Sequence, residues 1–206
     1  MNSIIIVGAG GHARVVIDAV RLNKLDIHGI IDINYSEKSE RINGYPLVGG
    51  FDYLDHINPK NYDIVIAIGD NDKRDKYFSK VVKLGFNLPN IAHPTSILSK
   101  YVTIGKGVFI NSGVIINSMA RIGDNTIINT GAIIEHEVII GKNCHICPGV
   151  KLTGRVHIGR NTFIGIGTSV IDHIMINENV TIGAGSVIIN NIDKNLTVAG
   201  SPAKKI

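Results

Sequence analysis

The apolar residues of this chain follow two rhythms, and the change between them falls near residue 94. In the first stretch, unbroken apolar runs of strand length alternate with segments of helical spacing. SIIIVG (3–8), IHGIIDI (27–33) and YDIVIAIG (62–69) read as buried strands. Between the first two, Ala13, Val16, Ile17 and Val20 recur at helical intervals, and DKRDKYFSKVVKLG (72–85) reads as a second helix. NLPNIAHP (87–94) supplies a last short strand. Strands alternating with helices imply a parallel sheet with right-handed crossovers, so residues 1–94 are expected to form a small Rossmann-like α/β domain.

From residue 95 to the end at 206 the period is six. Every sixth residue from Leu98 to Ile188 is aliphatic, sixteen positions in one register, and the residue two before each is small or β-branched, from Ser96 to Ser186. Neither the helical period of about 3.6 nor the strand period of about 2 produces this. A parallel β-helix does, because each hexad supplies one flat side and one corner while the aliphatic side chains stack up the interior. Gly or Asn follows many ladder residues directly, as at Gly105, Asn117, Gly123, Gly141 and Gly159, and these are expected to take the positive φ of tight corners.

The chain's 206 residues are 44% hydrophobic, ample for packed cores. The net charge is +4, but Lys and Arg are scattered without a basic block interleaved with aromatics, so nucleic acid is not an expected partner. No apolar run approaches the roughly 18 residues of a membrane span. The start MNSIIIVGAG lacks the basic segment and cleavage site of a secretory signal, and a cytoplasmic location is expected. Cys144 and Cys147 form a CxxC, but the repeat turns Cys144 inward and puts Cys147 in the corner after Ile146. A shared metal is not expected there.

Two clusters carry chemistry. IIEHE (133–137) places Glu135, His136 and Glu137 just after ladder residue Ile134, on the outside of the coil. Imidazole titrates near operating pH and can take a proton from an attacking amine or hydroxyl, while a neighbouring carboxylate orients the ring and stabilises the imidazolium. Glu135 and Glu137 are both candidates for that carboxylate, because adjacent strand residues point to opposite sides. In the first domain, Gly8-Ala9-Gly10-Gly11-His12-Ala13 fits GxGxxA between a strand and a helix, and Asp32 stands about twenty residues further on. Such a turn offers helix N-terminal amides to an anion, and the acid can bind a ribose hydroxyl. Ending at residue 94, the domain is too short for two mononucleotide-binding halves, so a nucleotide bearing another group fits better than a dinucleotide.

The glycine turn, the strand end IAIG (66–69), IIEHE inside a hexad repeat and the tail VAGSPAKKI (198–206) together resemble the sugar O- and N-acyltransferases of the hexapeptide-repeat class. That group includes sialic acid O-acetyltransferases and UDP-N-acetylbacillosamine N-acetyltransferase, and the resemblance spans the whole chain. It implies a left-handed β-helix with three hexads per triangular coil, a homotrimer, and acetyl-CoA as acyl donor without a metal. It also implies a nucleotide-linked amino-deoxy sugar, UDP-linked foremost, held by the N-terminal domain. His136 matches the family's proton acceptor and Glu137 the carboxylate that raises its basicity. Substrate contacts fall on Gly10, Gly11, His12, Asp32, Ile33 and Gly69, where Ile33 departs from relatives that carry a second acid. Acetyl-CoA contacts fall on His145, Gly154, Ile166 and Ala184. The implied reaction is N-acetylation in surface glycan synthesis; O-acetylation of a sialic acid and a nucleotide-sugar-binding scaffold without turnover are the alternatives. β-Helical carbonic anhydrases share the repeat but place two zinc ligands five residues apart, whereas His136, His145 and His157 are spaced nine and twelve.

Overall fold

The N-terminal apolar run is strand β1 (Ser3–Val7), buried from Ile4 onward. Helix α1 (Gly11–Leu22) follows, and Ala13, Val16, Ile17, Ala19 and Val20 form the buried stripe that its helical spacing predicts. Strands β2 (Ile27–Ile31), β3 (Arg41–Ile42), β4 (Tyr45–Gly49) and β5 (Tyr62–Ile66), helix α2 (Asn71–Lys83) and a short β6 (Ile91–Ala92) complete the first unit. The sheet order is β3-β4-β2-β1-β5, parallel except for the antiparallel β3–β4 pair. β1 and β5 stay in register from Ser3 beside Tyr62 to Val7 beside Ile66, so their carboxyl ends finish level. In parallel α/β sheets ligands bind beyond those ends.

The computed structural model describes residues 2–35 and 41–206, in two units, Met1–Pro94 and Thr95–Ile206. The sequence reading of the first unit omits β3, β4 and a 3-10 turn at Phe51–His56. The β3–β4 hairpin turns at Asn43 and Gly44 with φ of 48° and 86°, the conformation that Asn-Gly favours in two-residue hairpins. Its strands are too short to establish alternation, and Pro46 within β4 reads as a strand breaker. It lies opposite Arg41 in the short hairpin at the margin of the sheet.

The second unit is a left-handed parallel β-helix with a triangular section. Each strand is two residues long and lies beside the strand eighteen residues on. Face one carries Ile115, Ile133 and Lys151 outward; face two Arg121, Ile139 and His157; face three Ile127, His145 and Phe163. The ladder residues point inward and are at most 3% exposed from Ile110 to Ile188. Burying each such side chain contributes about 1.5–3 kcal/mol. Polar members of the inward set turn their groups onto backbone carbonyls: Thr126 donates to Gly141 O at 3.1 Å, Cys144 to Gly159 O at 3.1 Å and Thr162 to Asn177 O at 3.1 Å. The core therefore accepts them at little cost. The strands Thr197–Gly200 and Ala203–Lys205 close the far end as a hairpin, with Thr197 beside Thr181.

From Ile104 to Ile182 the positive φ falls three residues after each ladder residue, not directly after it. One vertex uses Gly113, Gly131, Gly149, Gly167 and Gly185; the next uses Asn125, Asn143, Asn161 and Asn179. The asparagines also donate in series, Asn125 to Asn143 at 2.7 Å, Asn143 to Asn161 at 2.8 Å and Asn161 to Asn179 at 3.1 Å. Gly123, Gly141 and Gly159 are glycines for another reason. A Cβ there would lie 2.5, 2.6 and 2.4 Å from a backbone nitrogen of the next coil, so the stacking itself excludes a side chain. Gly131→Ala, which meets open space at φ +65°, should cost about 1–2 kcal/mol for the left-handed backbone alone. Gly141→Ala must displace a coil and should cost about 3 kcal/mol. Reversible chemical denaturation of both variants checks the order, and the reverse order would refute the two assigned causes.

Candidate functional site

Two regions, one in each unit, gather the candidate residues. In the first unit β1 passes into α1 through Gly8, Ala9 and Gly10. Gly8 has φ +108° and a Cβ there would meet Ala67 O at 2.9 Å, so the fold itself requires glycine. Gly10 and Gly11 are different: neither has a positive φ, and a Cβ on either finds no atom within 4 Å. Their missing side chains leave room beside a cavity of about 490 Å³ at the carboxyl ends of β1, β2 and β5. α1 begins there without a side-chain cap at Gly10 and without an acid in its first turn, whereas α2 is capped by Asp70, which accepts from Lys73 N at 2.9 Å. The positive end of the α1 dipole is thus left for an anion.

The cavity wall includes every substrate candidate of the first unit: Gly10, Gly11, His12, Asp32, Ile33 and Gly69. Asp32 spends its carboxylate on the backbone, accepting from Ala9 N and Asn34 N at 2.8 Å each, so it shapes the glycine turn as well as facing the cavity. Ile33 is 73% exposed and offers no hydrogen bond. The carbonyl of Gly69 is held by Arg74, which is 1% exposed and whose guanidinium donates to Ile68 O at 3.3 Å, Gly69 O at 3.0 Å and Asn71 Oδ1 at 2.8 Å. The wall residues that escaped the sequence reading include Phe51, Asp70, Lys73, Lys76 and Tyr77. Burial raises the Tyr77 phenol above its ordinary pKa, with the charge of Asp32 adding to the effect, so Tyr77 is a neutral donor at pH 7.

In the second unit, the vertex between faces one and two breaks the pattern of the other two. Its left-handed positions are Met119, Glu137, Arg155 and His173, with φ of 62°, 60°, 59° and 61°. Residues of this kind rarely enter that region, and such strain clusters at functional sites. The turn brings the two neighbours together: Glu137 Oε2 lies 3.2 Å from His136 Nδ1 and accepts from Arg155 Nε at 2.9 Å. Those two hydrogen bonds, from His136 first and Arg155 second, lower the Glu137 pKa below its ordinary value. Glu137, not Glu135, is therefore the carboxylate on the ring. With Nδ1 as the donor, Nε2 presents its lone pair outward, and among the described residues it has no partner. The backbone is fixed as well, since Arg155 N donates to His136 O at 3.0 Å and Glu137 N to Ser118 O at 3.0 Å.

The four acetyl-CoA candidates do not converge on one chain. Gly154 lies one coil beyond His136, and a Cβ on it would stand 2.5 Å from His136 Cε1, so its missing side chain makes room for the imidazole. Ile166 and Ala184 flank Gly167 and Gly185 at the vertex between faces three and one. His145 lies on face three, across the prism from His136, 8% exposed, 3.2 Å from Asn129 Nδ2 and edge-on to the Phe163 ring at 5.3 Å. A second cavity, of about 470 Å³, opens on face two beside Glu137, Arg155, His157 and His173. Both cysteines are free and buried, and burial pushes the Cys147 thiol up to about 12. Among the described residues no group of three His, Cys, Asp or Glu could hold a metal, and no helix is long and apolar enough to cross a membrane.

The PglD N-terminal domain family matches residues 3–81, and the bacterial transferase hexapeptide family (six repeats) matches residues 119–154 and 155–190. Among solved structures, a mutant of perosamine N-acetyltransferase from Caulobacter crescentus, in complex with CoA and GDP-perosamine, superposes with a TM-score of 0.96 at 34% identity, over 100% of this chain and 97% of that one. The acetyltransferase domain of PglB from Neisseria gonorrhoeae, in complex with acetyl coenzyme A, gives 0.94 at 31% identity over the whole of both chains. WeeI from Acinetobacter baumannii gives 0.92 at 25% identity, again over the whole of both.

The Glu137 geometry has a measurable consequence. Its carboxyl carbon should titrate by NMR below the ordinary 4.5, and Arg155→Gln should move the midpoint back up. A carboxyl depressed in the folded state contributes stability that is present above its unfolded pKa and lost as pH falls through the folded one. Solvent screening at the partly exposed carboxylate keeps that contribution small. A midpoint at or above the ordinary value would show that the shared oxygen contact is not kept in solution.

Proposed function

Because the chain belongs to the hexapeptide-repeat sugar acyltransferases that carry a PglD-type N-terminal domain, we propose that it moves the acetyl group of acetyl-CoA onto an amino group of a nucleotide-linked amino-deoxy sugar. The observation that carries this reading is His136, held through Nδ1 by Glu137 with Nε2 left to receive a proton. The sugar's neutral amine attacks the thioester carbonyl, forming the C–N bond. Nε2 takes the proton that the nitrogen must lose, and a backbone amide stabilises the oxyanion. Collapse breaks the C–S bond, and the imidazolium returns the proton to the CoA thiolate. Glu137 steadies the imidazolium, and Arg155 fixes Glu137. The match to a perosamine N-acetyltransferase supports nitrogen over oxygen as acceptor.

The nucleotide-linked sugar belongs in the cavity at the glycine turn, with uridine diphosphate as first carrier to test and guanosine diphosphate beside it. On this reading the enzyme would act in the cytoplasm, in surface glycan synthesis. The acetyl donor belongs between copies of the chain in a homotrimer. His136 and Gly154 occupy one vertex of the prism and Ile166 and Ala184 another, with face one between them. One ligand reaches both sets only if the first vertex of one copy meets the second vertex of its neighbour. Three such heterologous contacts close a ring.

His136→Ala should keep the fold, since the side chain is 55% exposed, and should lower kcat by about 10²- to 10⁴-fold on a panel of UDP- and GDP-linked amino sugars. A pure variant retaining a third of the wild-type kcat would remove His136 as the base. The shared site has its own test. His136→Ala chains and Ala184→Glu chains, each nearly inactive alone, should regain part of the activity when refolded together, because some interfaces then pair two intact vertices. Verified mixed trimers that stay inactive, or a monomer by light scattering, would exclude the arrangement.

A further inference from the structure

The chain has three methionines, and the two that follow Met1, Met119 and Met175, both line the cavity on face two. Met119 is 58% exposed and Met175 48%. The thiols are placed the opposite way: Cys144 and Cys147 are buried, and burial pushes Cys147 up to about 12, far from a reactive thiolate. Among the described residues, the sulfur that solvent reaches is therefore gathered at one cavity, beside Glu137. Of the four left-handed residues at this vertex, the acetyl-transfer chemistry uses Glu137 and Arg155. Met119 keeps φ at 62°, a conformation unfavourable for any residue with a side chain, yet it brings only a weak acceptor. Its place is one coil below Glu137, about 4.8 Å away along the prism. Glu137 N donates to the carbonyl of Ser118, the residue before Met119, at 3.0 Å.

We propose that Met119 is a redox modification site: hydrogen peroxide oxidises its thioether to the sulfoxide, and the modified side chain slows acetyl transfer until it is reduced. In the step, the sulfur loses two electrons as it takes one oxygen of the peroxide; the O–O bond breaks and the other oxygen leaves as water. A methionine sulfoxide reductase reverses it, two thiols becoming a disulfide as the oxygen leaves as water. Oxidation turns a flexible apolar tip into a polar one whose oxygen carries partial negative charge. One coil below Glu137, that oxygen repels the carboxylate. It also competes for the His136 Nδ1–H and the Arg155 guanidinium, which lie 3.2 and 2.9 Å from Glu137 Oε2. The slowing rests on reading His136 as the base; the site of oxidation does not. Met175 stands beside His157, two coils on from Ile139 and about 10 Å further along the prism, beyond reach of those bonds. It serves as the internal control.

The full-length protein, in whatever assembly it forms, is treated with hydrogen peroxide; peptide mass spectrometry reads the sites and kcat is measured before and after. Both methionines should gain one oxygen while Cys144 and Cys147 stay unmodified. The kcat should fall by about tenfold, short of the 10²- to 10⁴-fold of losing a general base. Methionine sulfoxide reductase with a thiol donor should restore it. Met119→Leu should keep its own kcat through the same treatment, and Met175→Leu should lose it as wild type does. Met119→Gln, which carries a permanent acceptor, should be slow without peroxide. The Glu137 carboxyl midpoint should rise both in that variant and in oxidised wild type. An unmodified Met119, as when a neighbouring copy covers it, would overturn the switch. So would a loss of activity that Met119→Leu does not prevent or that the reductase does not reverse. If the untreated protein transfers no acetyl group, the reading of His136 fails separately, and the Met119 site then stands or falls on the mass shift and the Glu137 midpoint.

Discussion

The coil of the second unit requires the backbone to enter the left-handed region once every six residues, and the rest of that unit depends on how each corner meets the demand. Two vertices meet it cheaply. Glycine serves one at almost no steric cost, and asparagine serves the other while its side chain bonds to the asparagine one coil away. The third vertex places Met119, Glu137, Arg155 and His173 in the same conformation, at about 1–2 kcal/mol each. Eighteen-residue stacking, with its backbone hydrogen bonds between coils and its aliphatic interior, holds these corners in place regardless. The exposed chemistry is concentrated at the vertex where the backbone is least comfortable.

That strain has a geometric return. On an extended strand, His136 and Glu137 would point to opposite sides. The left-handed turn at Glu137 swings its carboxylate round to the Nδ1 of its own neighbour. Glycine at 137 would ease the backbone but supply no carboxylate. The coil above completes the setting, since Gly154 leaves space for the ring and Arg155 reaches the same oxygen as the histidine. The glycine turn of the first unit works by a similar subtraction. Gly10 and Gly11 are neither strained nor crowded, and the fold alone gives no reason for them. Space reserved against no protein atom is most simply understood as space for a ligand.

Much of this was legible in the chain. Sixteen aliphatic positions in one register made the prism and its inward set readable, and the alternation of strand and helix made the first unit readable, because both patterns repeat over many residues. What failed was local. The β3–β4 hairpin was missed because two- and five-residue strands interrupted by Pro46 carry no alternation, although Asn43-Gly44 was a usable turn signal. The corner was misplaced because glycine answers two constraints: Gly141 avoids the backbone of the next coil, while Gly131 supplies the positive φ. A sequence shows the glycine but not which constraint it answers. His136 was visible as a histidine outside the ladder, whereas Arg155 becomes its indirect partner only once the eighteen-residue return is laid over the sequence. The choice between Glu135 and Glu137 was closed to sequence reasoning, since it turns on the sign of one φ angle.

Stacking at this interval brings charged side chains together whether or not chemistry follows. Arg160 donates to Glu178 at 2.7 Å across the same eighteen residues as Arg155 to Glu137, and it does so on exposed surface. An ion pair on this fold is therefore a weak pointer to function, and its exposure makes it a weak source of stability as well. The pair at Glu137 differs because its acceptor oxygen is shared with an imidazole whose other nitrogen faces solvent. The repeat provides regular, inexpensive pairing along the prism. A site arises where one corner accepts the wrong residue for its backbone and a histidine stands beside it.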